Sequence, residues 1–227
     1  MSYADLVRSR RMTRRFADSP QVPKPLVSEL VDLASRAPSA GNTQGGDYLV
    51  LQTEAERAAF WRAASPVGAE SAWLSGVSAA PTLIVCLSNE DAYRRRYAEP
   101  DKAARGRGEP AEQDWPIPYW HTDVAMGAMT ILLGAVDAGL GALFFGVPGP
   151  GHARVRAAFG IPADRGIVGV IALGHEQRRV PSPSLARPRR RGPDVLHWGA
   201  FGVSAGEDAV ARETMPSETM PVPAEGG

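Results

Sequence analysis

The sequence predicts one domain of mixed helices and strands, of the α/β or α+β class. Short runs of β-type residues alternate with longer helical patterns, and 227 residues are enough for one sizeable hydrophobic core. Few strands combined with long helices are typical of both classes, so the order of the strands in the sheet stays open. The four predicted strands are residues 47–51, 82–87, 142–147 and 167–173.

Helical periodicity marks the segments between these strands. Residues 25–36 place Leu26, Leu30 and Leu33 on one face, and Pro25 is acceptable in a first helical turn. Further helices are predicted at residues 54–64, 121–138 and 151–159. Helices therefore alternate with strands along the chain.

The helix predicted at residues 121–138 is hydrophobic nearly all round. Such a helix is typical of the buried centre of a large core or of a dimer, and we expect it to be the central helix. Residues 124–143 approach membrane length, which is about 20 residues, but Asp137 and several glycines interrupt the aliphatic run. No membrane partner is therefore expected.

Two segments carry the composition of irregular chain. Residues 101–118 are rich in Gly, Pro, Glu and Arg, which predicts a long loop or lid. After Phe201 the motif Glu-Thr-Met-Pro occurs twice, at 213–216 and 218–221, in a stretch poor in large apolar residues. We therefore predict a folded domain over residues 1–203 and a disordered or loosely packed tail over residues 204–227.

Charge and cysteine content narrow the choice of partners and compartment. Because 25 basic residues balance 25 acidic ones, the net charge is zero, and no overall electrostatic attraction favours binding to nucleic acid or to an anionic membrane. Cys86, the only cysteine, lies in an apolar run, which excludes an intrachain disulfide and indicates a buried thiol. The first residues lack the pattern of a secretory signal, so a cytoplasmic location is expected.

Three patterns that can mark catalytic or cofactor sites fail on their context. Residues 202–206 match the hydrolase pattern Gly-x-Ser-x-Gly, but no histidine follows His197 to complete a triad. The glycines of residues 139–141 follow a helix and precede a strand, the reverse of a dinucleotide-binding turn. The four histidines show no paired spacing, so no metal site is expected.

A basic cluster near the N-terminus is a candidate anion site. Arg10 and Arg11 are adjacent, and two arginines side by side can hold a phosphate through charge-assisted hydrogen bonds. Arg14 lies three residues after Arg11 and could face a second anionic group. A solvated charge run is the alternative. Residues 187–191 form a second basic run that admits the same two interpretations, with a nucleic-acid patch as a third.

The small, polar segment 37–44 lies between a predicted helix and a predicted strand. Small residues there would let the backbone approach a flat ligand closely. Ser39, Asn42 and Gln44 offer hydrogen bonds to ring heteroatoms. Taken alone, the segment is an ordinary loop.

Together these motifs resemble the FMN-dependent nitroreductase family. The family's Arg-Arg-Ser-x-Arg-x-Phe-like motif corresponds to residues 10–16, and its Ala-Pro-Ser-x-x-Asn-x-Gln motif corresponds to residues 37–44. The resemblance continues through residues 137–141 and 166–174 and ends near the second basic run. It implies an α+β sandwich with a central antiparallel-type sheet flanked by helices, in an intertwined homodimer with two FMN sites at the interface.

The resemblance also implies roles for individual residues. Arg10 and Arg11 would hold the FMN phosphate, with help from Arg189 or Arg190, and Arg14 would lie at the pyrimidine edge. The family's usual serine is replaced by Met12, which leaves only a backbone N–H at that position. The partner subunit would supply the contacts to the ring system from Pro38, Ser39, Ala40, Asn42 and Gln44. Leu143, Phe144 and Phe145 would lie along the side of the flavin ring that carries the dimethylbenzene group and N5.

The implied activity is hydride transfer from NADPH or NADH, through flavin N5, to a nitroaromatic, quinone or activated alkene in a ping-pong cycle. No side chain need be catalytic, because the flavin carries the chemistry.

The expected substrate contacts are Gly41, Tyr97, Tyr119 and Trp120, with Tyr93 and Trp115 as further lid aromatics; packing is the alternative role. Gly45 and Gly46 stand where many relatives carry Pro-Trp. A flavin-consuming or dehalogenating enzyme and a non-catalytic FMN-binding protein stay open as alternatives.

Overall fold

The computed structural model describes residues 1–65, 72–103 and 115–204. The chain divides into two compact units, Met1–Val180 and Pro181–Gly227, and each is described by itself. The predicted domain boundary after residue 203 stays a prediction, because residues 205–227 of the predicted tail lie outside the described part of the chain.

Four strands form one antiparallel sheet in the order β1-β2-β4-β3. The expected α+β class and antiparallel sheet are thereby confirmed, and the strand order is new. The predicted strand at 142–147 ends earlier than expected, at Phe145. The strands are β1 (Gly46–Leu51), β2 (Thr82–Asn89), β3 (Gly141–Phe145) and β4 (Arg165–Gly174).

Helices cover both faces of this sheet. The four predicted helices are confirmed, and α3 coincides with residues 54–64 because Thr53 and Glu56 form a reciprocal capping box at its start. Helices α4 and α5 were not expected. The α-helices are α1 (Tyr3–Ser9), α2 (Lys24–Ala34), α3 (Glu54–Ala64), α4 (Ala72–Ser78), α5 (Glu90–Ala98), α6 (Pro100–Ala103), α7 (Tyr119–Asp137), α8 (Gly149–Phe159) and α9 (Gly192–Val195).

Two hydrophobic cores lie on opposite faces of the sheet. Along β2, Leu83 and Val85 point into the core shared with α3 and α8, whereas Ile84 and Cys86 point into the core shared with α2 and α7. Every residue of β2 is therefore buried, which explains its continuous apolar sequence. The predicted buried thiol is confirmed, and burial raises the pKa of Cys86 to about 12.

One face of α7 packs in the core, and the other face stays exposed in the single chain. The side chains of Val124 and Ile131 are buried, whereas Met126 and Met129 are 40% and 38% exposed. Within the single chain this helix is buried on one side only, so of the two predicted settings, the centre of a large core and the centre of a dimer, the second stays a prediction. Within the described ranges, none of the helices combines the length and the hydropathy that a membrane crossing requires.

The predicted loop over residues 101–118 is wrong at its start. Residues Pro100–Ala103 form the short helix α6 directly after α5. Residues 116–118 are irregular, as expected, and lead into α7. Residues 104–114 lie outside the described part of the chain, so the lid itself stays a prediction.

Gly76 marks a close approach between α4 and the chain that follows α1. A β-carbon at position 76 would lie 2.3 Å from the backbone oxygen of Arg14. Because that obstacle is backbone, we expect Gly76→Ala to lower the free energy of unfolding by about 1–3 kcal/mol in urea denaturation. Gly146→Ala is the matched control, since its β-carbon would meet nothing within 4 Å. Equal losses in both variants would contradict the prediction.

Candidate functional site

The N-terminal basic segment is pinned to the edge of the sheet. Met12 forms a parallel bridge with Ala142 of β3, and the Thr13 N–H donates to the Ala142 carbonyl at 2.9 Å. Phe16 forms an antiparallel bridge with Glu176, just beyond the end of β4. The backbone between these points is fixed, so its arginines project from a defined position.

Three arginines of this segment, Arg10, Arg11 and Arg14, occupy different environments. Nη1 of Arg10 is buried and has no hydrogen-bond partner among the residues that the structure describes. Nη1 of Arg14 donates to the carbonyl of Met12 at 3.0 Å. The Arg11 guanidinium forms an ion pair with Glu176. A buried guanidinium N–H without an acceptor is costly, so Arg10 is the member of the motif best suited to an incoming anion.

Arg189 and Arg190, the other predicted phosphate ligands, lie in the second compact unit. With Pro188, Arg191 and Asp194 they line a shallow hollow, and Arg190 donates to the Asp194 carbonyl. Their contribution to a phosphate site stays a prediction.

The segment 38–44 is a tight loop held by its own polar groups. The Ser39 hydroxyl accepts from the Gln44 N–H at 2.9 Å, and the Ser39 carbonyl accepts from the Asn42 N–H at 2.8 Å. Asn42 and Gln44 both have φ of 54°, and Gly41 has φ of 67°. Left-handed backbone at non-glycine residues costs free energy and is typical of functional loops.

Asp123 anchors this loop to α7, and the sequence analysis missed it. Its carboxylate, 8% exposed, accepts from the Ala40 N–H at 2.8 Å and from the Tyr93 hydroxyl at 2.7 Å. The pKa of Tyr93 is raised, mainly by burial of its hydroxyl and to a smaller extent by the hydrogen bond to Asp123. The sequence signal was present, because Asp123 is the one acidic residue near the start of an otherwise apolar helix.

A cavity of about 280 Å³ opens behind the loop. Gly45 is required there, because a β-carbon would lie 2.5 Å from the Tyr93 ring. Tyr48 also faces the cavity, and burial raises its pKa to about 12. The lining residues are Val31, Ser35, Ala37, Pro38, Ser39, Gln44, Gly45, Gly46, Tyr48, Tyr93, Asp123 and Val124.

Three of the four predicted substrate residues belong to one aromatic cluster, and Gly41 touches it. Trp115 contacts the rings of Tyr97, Tyr119 and Trp120 edge-to-face, with centroids 4.8, 5.7 and 6.0 Å apart. A β-carbon at Gly41 would lie 3.0 Å from the Tyr97 ring. The structure therefore brings the aromatic group next to loop 38–44.

The structure places Tyr93 and Tyr97 on α5 and not in the predicted loop 101–118, in keeping with the packing alternative, and their contact with a substrate stays a prediction. Both are buried. Their i, i+4 spacing turns both rings to the same side of that helix, where packing removes them from water. The Arg96 Nε donates to the Gly41 carbonyl at 2.9 Å and ties α5 to the loop.

The predicted flavin contacts on β3 point in alternate directions. Leu143 and Phe145 belong to the core of α3 and α8, and Phe144 packs toward the core of α7. Phe145 stacks on Trp61 with ring centroids 5.4 Å apart. Because these side chains are engaged in packing, a contact from β3 to a ligand would fall to its backbone. Among the described residues, no group of three or more His, Cys, Asp or Glu could hold a metal ion.

Two comparisons of the sequence with known proteins find relatives. A family model described as "Nitroreductase family" matches residues 7–175. An NADH dehydrogenase from Thermus thermophilus is 30% identical over 185 residues, which cover 73% of this chain and 82% of that protein.

Solved structures agree on the fold. The nitroreductase CinD from Lactococcus lactis, in complex with nicotinic acid, has a TM-score of 0.70 at 16% identity and covers 88% of this chain and 100% of its own. A nitroreductase-type protein from Exiguobacterium sibiricum, in complex with FMN, has a TM-score of 0.66 at 20% identity and covers 87% of this chain and 97% of its own. At these identities the likeness concerns the fold alone.

Proposed function

The chain belongs to the nitroreductase family, and from that premise we propose that it is an FMN-dependent oxidoreductase that takes hydride from NADH or NADPH and reduces a small organic acceptor. The observation that carries the proposal is Nη1 of Arg10, which is buried in the N-terminal motif and has no hydrogen-bond partner among the described residues. A buried guanidinium N–H group without an acceptor fits an anionic group such as the FMN phosphate. The relative from Exiguobacterium sibiricum, solved with FMN, supports the same cofactor.

The residues present fit FMN in three places. Arg10 and the backbone at Met12 would hold the phosphate, Arg14 would face the pyrimidine edge, and loop 38–44 would approach the ring from the partner subunit. When bound, FMN supplies an N5 atom that accepts hydride from the nicotinamide and passes it to the acceptor. The hydrogen bond from Arg14 to the Met12 carbonyl fixes its guanidinium, and a fixed cation stabilises negative charge that develops nearby.

The aromatic cluster would form the wall of the acceptor site. Tyr119 and Trp120 are half-buried, so part of each ring stays accessible. Flat rings favour flat acceptors through offset or edge-to-face stacking. We therefore propose nitroaromatics or quinones ahead of activated alkenes, with Gly41 and Tyr97 at the border of the site. A cytoplasmic location belongs to the same proposal.

A homodimer belongs to the proposal as well. Met126 and Met129 expose an apolar stripe along α7, and Leu33 of the adjacent α2 is 45% exposed. Apolar surface of this kind is typical of a subunit interface. We expect Met129→Glu to shift the protein from dimer to monomer in light scattering coupled to size-exclusion chromatography. Ala157→Glu, at an exposed position on α8, is the control. A monomeric parent protein would overturn the dimer.

The central experiment uses the purified full-length protein. Its visible spectrum is recorded, the released flavin is identified, and NADH or NADPH is added without oxygen. We expect about one FMN per subunit and rapid bleaching of the flavin absorbance, followed by reoxidation when a quinone or nitroaromatic is added. A protein that does not bind added FMN would overturn the proposal. Bound FMN that neither nicotinamide bleaches would favour the flavin-consuming or non-catalytic alternatives.

A further inference from the structure

The two adjacent arginines of the basic motif differ in what surrounds them. Arg11 is 53% exposed, and its Nη2 and Nε both donate to the carboxylate of Glu176, which is only 17% exposed. The arrangement is two-point, with the Nε contact the longer one at 3.4 Å. The same contact raises the pKa of Arg11. Arg10, by contrast, has a buried Nη1 with no partner among the described residues.

Glu176 is held in place by backbone on both sides. The carbonyl of His175 accepts from the Ala17 N–H at 2.9 Å, and the Gln177 N–H donates to the Arg15 carbonyl at 3.0 Å. Glu176 itself bridges Phe16. These contacts fix the backbone of Glu176 at the junction between the N-terminal segment and the end of β4, and so fix the position from which its carboxylate reaches Arg11.

We propose that Glu176 competes with the FMN phosphate for Arg11, so that Arg10 is the main phosphate ligand and Glu176 weakens the retention of phosphate-bearing flavin. The inference rests on the proposed function. Its physical basis is that Glu176 already occupies the Nε and Nη2 donors of Arg11 and neutralises its charge, so a phosphate must either displace this carboxylate or bind the remaining edge of a neutralised guanidinium. A carboxylate that stays beside the phosphate would repel it instead.

Glu176 is therefore an affinity-setting residue of the flavin site. It acts on the phosphate alone, so it would not affect the binding of riboflavin, which has the same ring system without the phosphate. With Arg11 neutralised by Glu176, the adjacent pair of Arg10 and Arg11 offers the phosphate one available cation instead of two. The cofactor would exchange more readily than it would with both arginines available.

The test measures binding of FMN and riboflavin to flavin-free full-length protein by quenching of flavin fluorescence. We expect Glu176→Gln to tighten FMN binding about tenfold, which corresponds to one charge-assisted hydrogen bond regained, and to leave riboflavin binding unchanged. We expect the double variant Arg11→Ala with Glu176→Gln to bind FMN within about threefold of the parent, because it removes a pair that is already neutral.

Two results would overturn the inference while FMN binding itself persists. One is a Glu176→Gln variant that binds FMN no more tightly, or that changes FMN and riboflavin binding equally. The other is a double variant that loses tenfold or more of its FMN affinity, since Arg11 would then be a phosphate ligand in the parent. The more conservative Glu176→Asp, expected to tighten FMN binding by a smaller factor, replaces Glu176→Gln if that variant fails to fold. A parent protein that binds no FMN would overturn the proposed function as well.

Discussion

The substitution Asp123→Ala is expected to lower the free energy of unfolding by about 3 kcal/mol. It would leave the buried Tyr93 hydroxyl and the half-buried Ala40 N–H without the acceptor that both use. A buried donor that is left without an acceptor costs about 1–3 kcal/mol of folding free energy. Because a domain of this size is stable by about 5–15 kcal/mol, the loss would be readily visible in urea denaturation.

The same substitution should weaken flavin binding, because loop 38–44 would lose its anchor on α7. Tyr93→Phe separates the two effects: it removes one donor, keeps the contact to Ala40, and should cost about 1 kcal/mol with little change in FMN affinity. Asp137→Ala, at the exposed end of the same helix, controls for the loss of a helical carboxylate. If Asp123→Ala and Asp137→Ala unfold alike, the anchoring role of Asp123 is wrong.

Arg10→Ala should lower the affinity for FMN roughly 10- to 100-fold, the value of a charge-assisted hydrogen bond to phosphate. The stability of the flavin-free protein should stay the same or rise, since the variant removes a buried N–H group that has no acceptor among the described residues. Flavin fluorescence gives the affinity, and thermal unfolding with and without FMN gives the stability.

Arg8→Ala is the matched control for this charge change. The Arg8 side chain is 78% exposed and contacts Asp5 at 3.7 Å on the surface of α1. Exposed pairs of this kind contribute little, so FMN affinity should be unchanged. An Arg10→Ala variant that destabilises the flavin-free protein and keeps its FMN affinity would assign Arg10 a structural role instead.

Local patterns were sufficient where the interaction is local. The start of α3 could be predicted because Thr53 and Glu56, three residues apart, satisfy the first backbone N–H groups of the helix. Helix α5 escaped prediction because its arginine-rich surface hides the apolar spacing of Tyr93 and Tyr97. Both tyrosines are buried by elements that lie elsewhere in the chain. Helical periodicity is judged over a short stretch of sequence, and that stretch does not include those elements.

By itself the sequence determined the kinds of elements, the burial of Cys86, and the order of motifs that indicated the family. Only the tertiary structure decided the strand order, the anchor of loop 38–44 and the environments of Arg10, Arg11 and Arg14. Asp123 meets Ala40 across 83 positions, and Glu176 meets Arg11 across 165. Ion pairs and buried hydrogen bonds depend on separations of a few ångströms. Those separations arise only when distant segments pack, so the sequence shows which charges exist and the fold decides which of them stay available for a ligand.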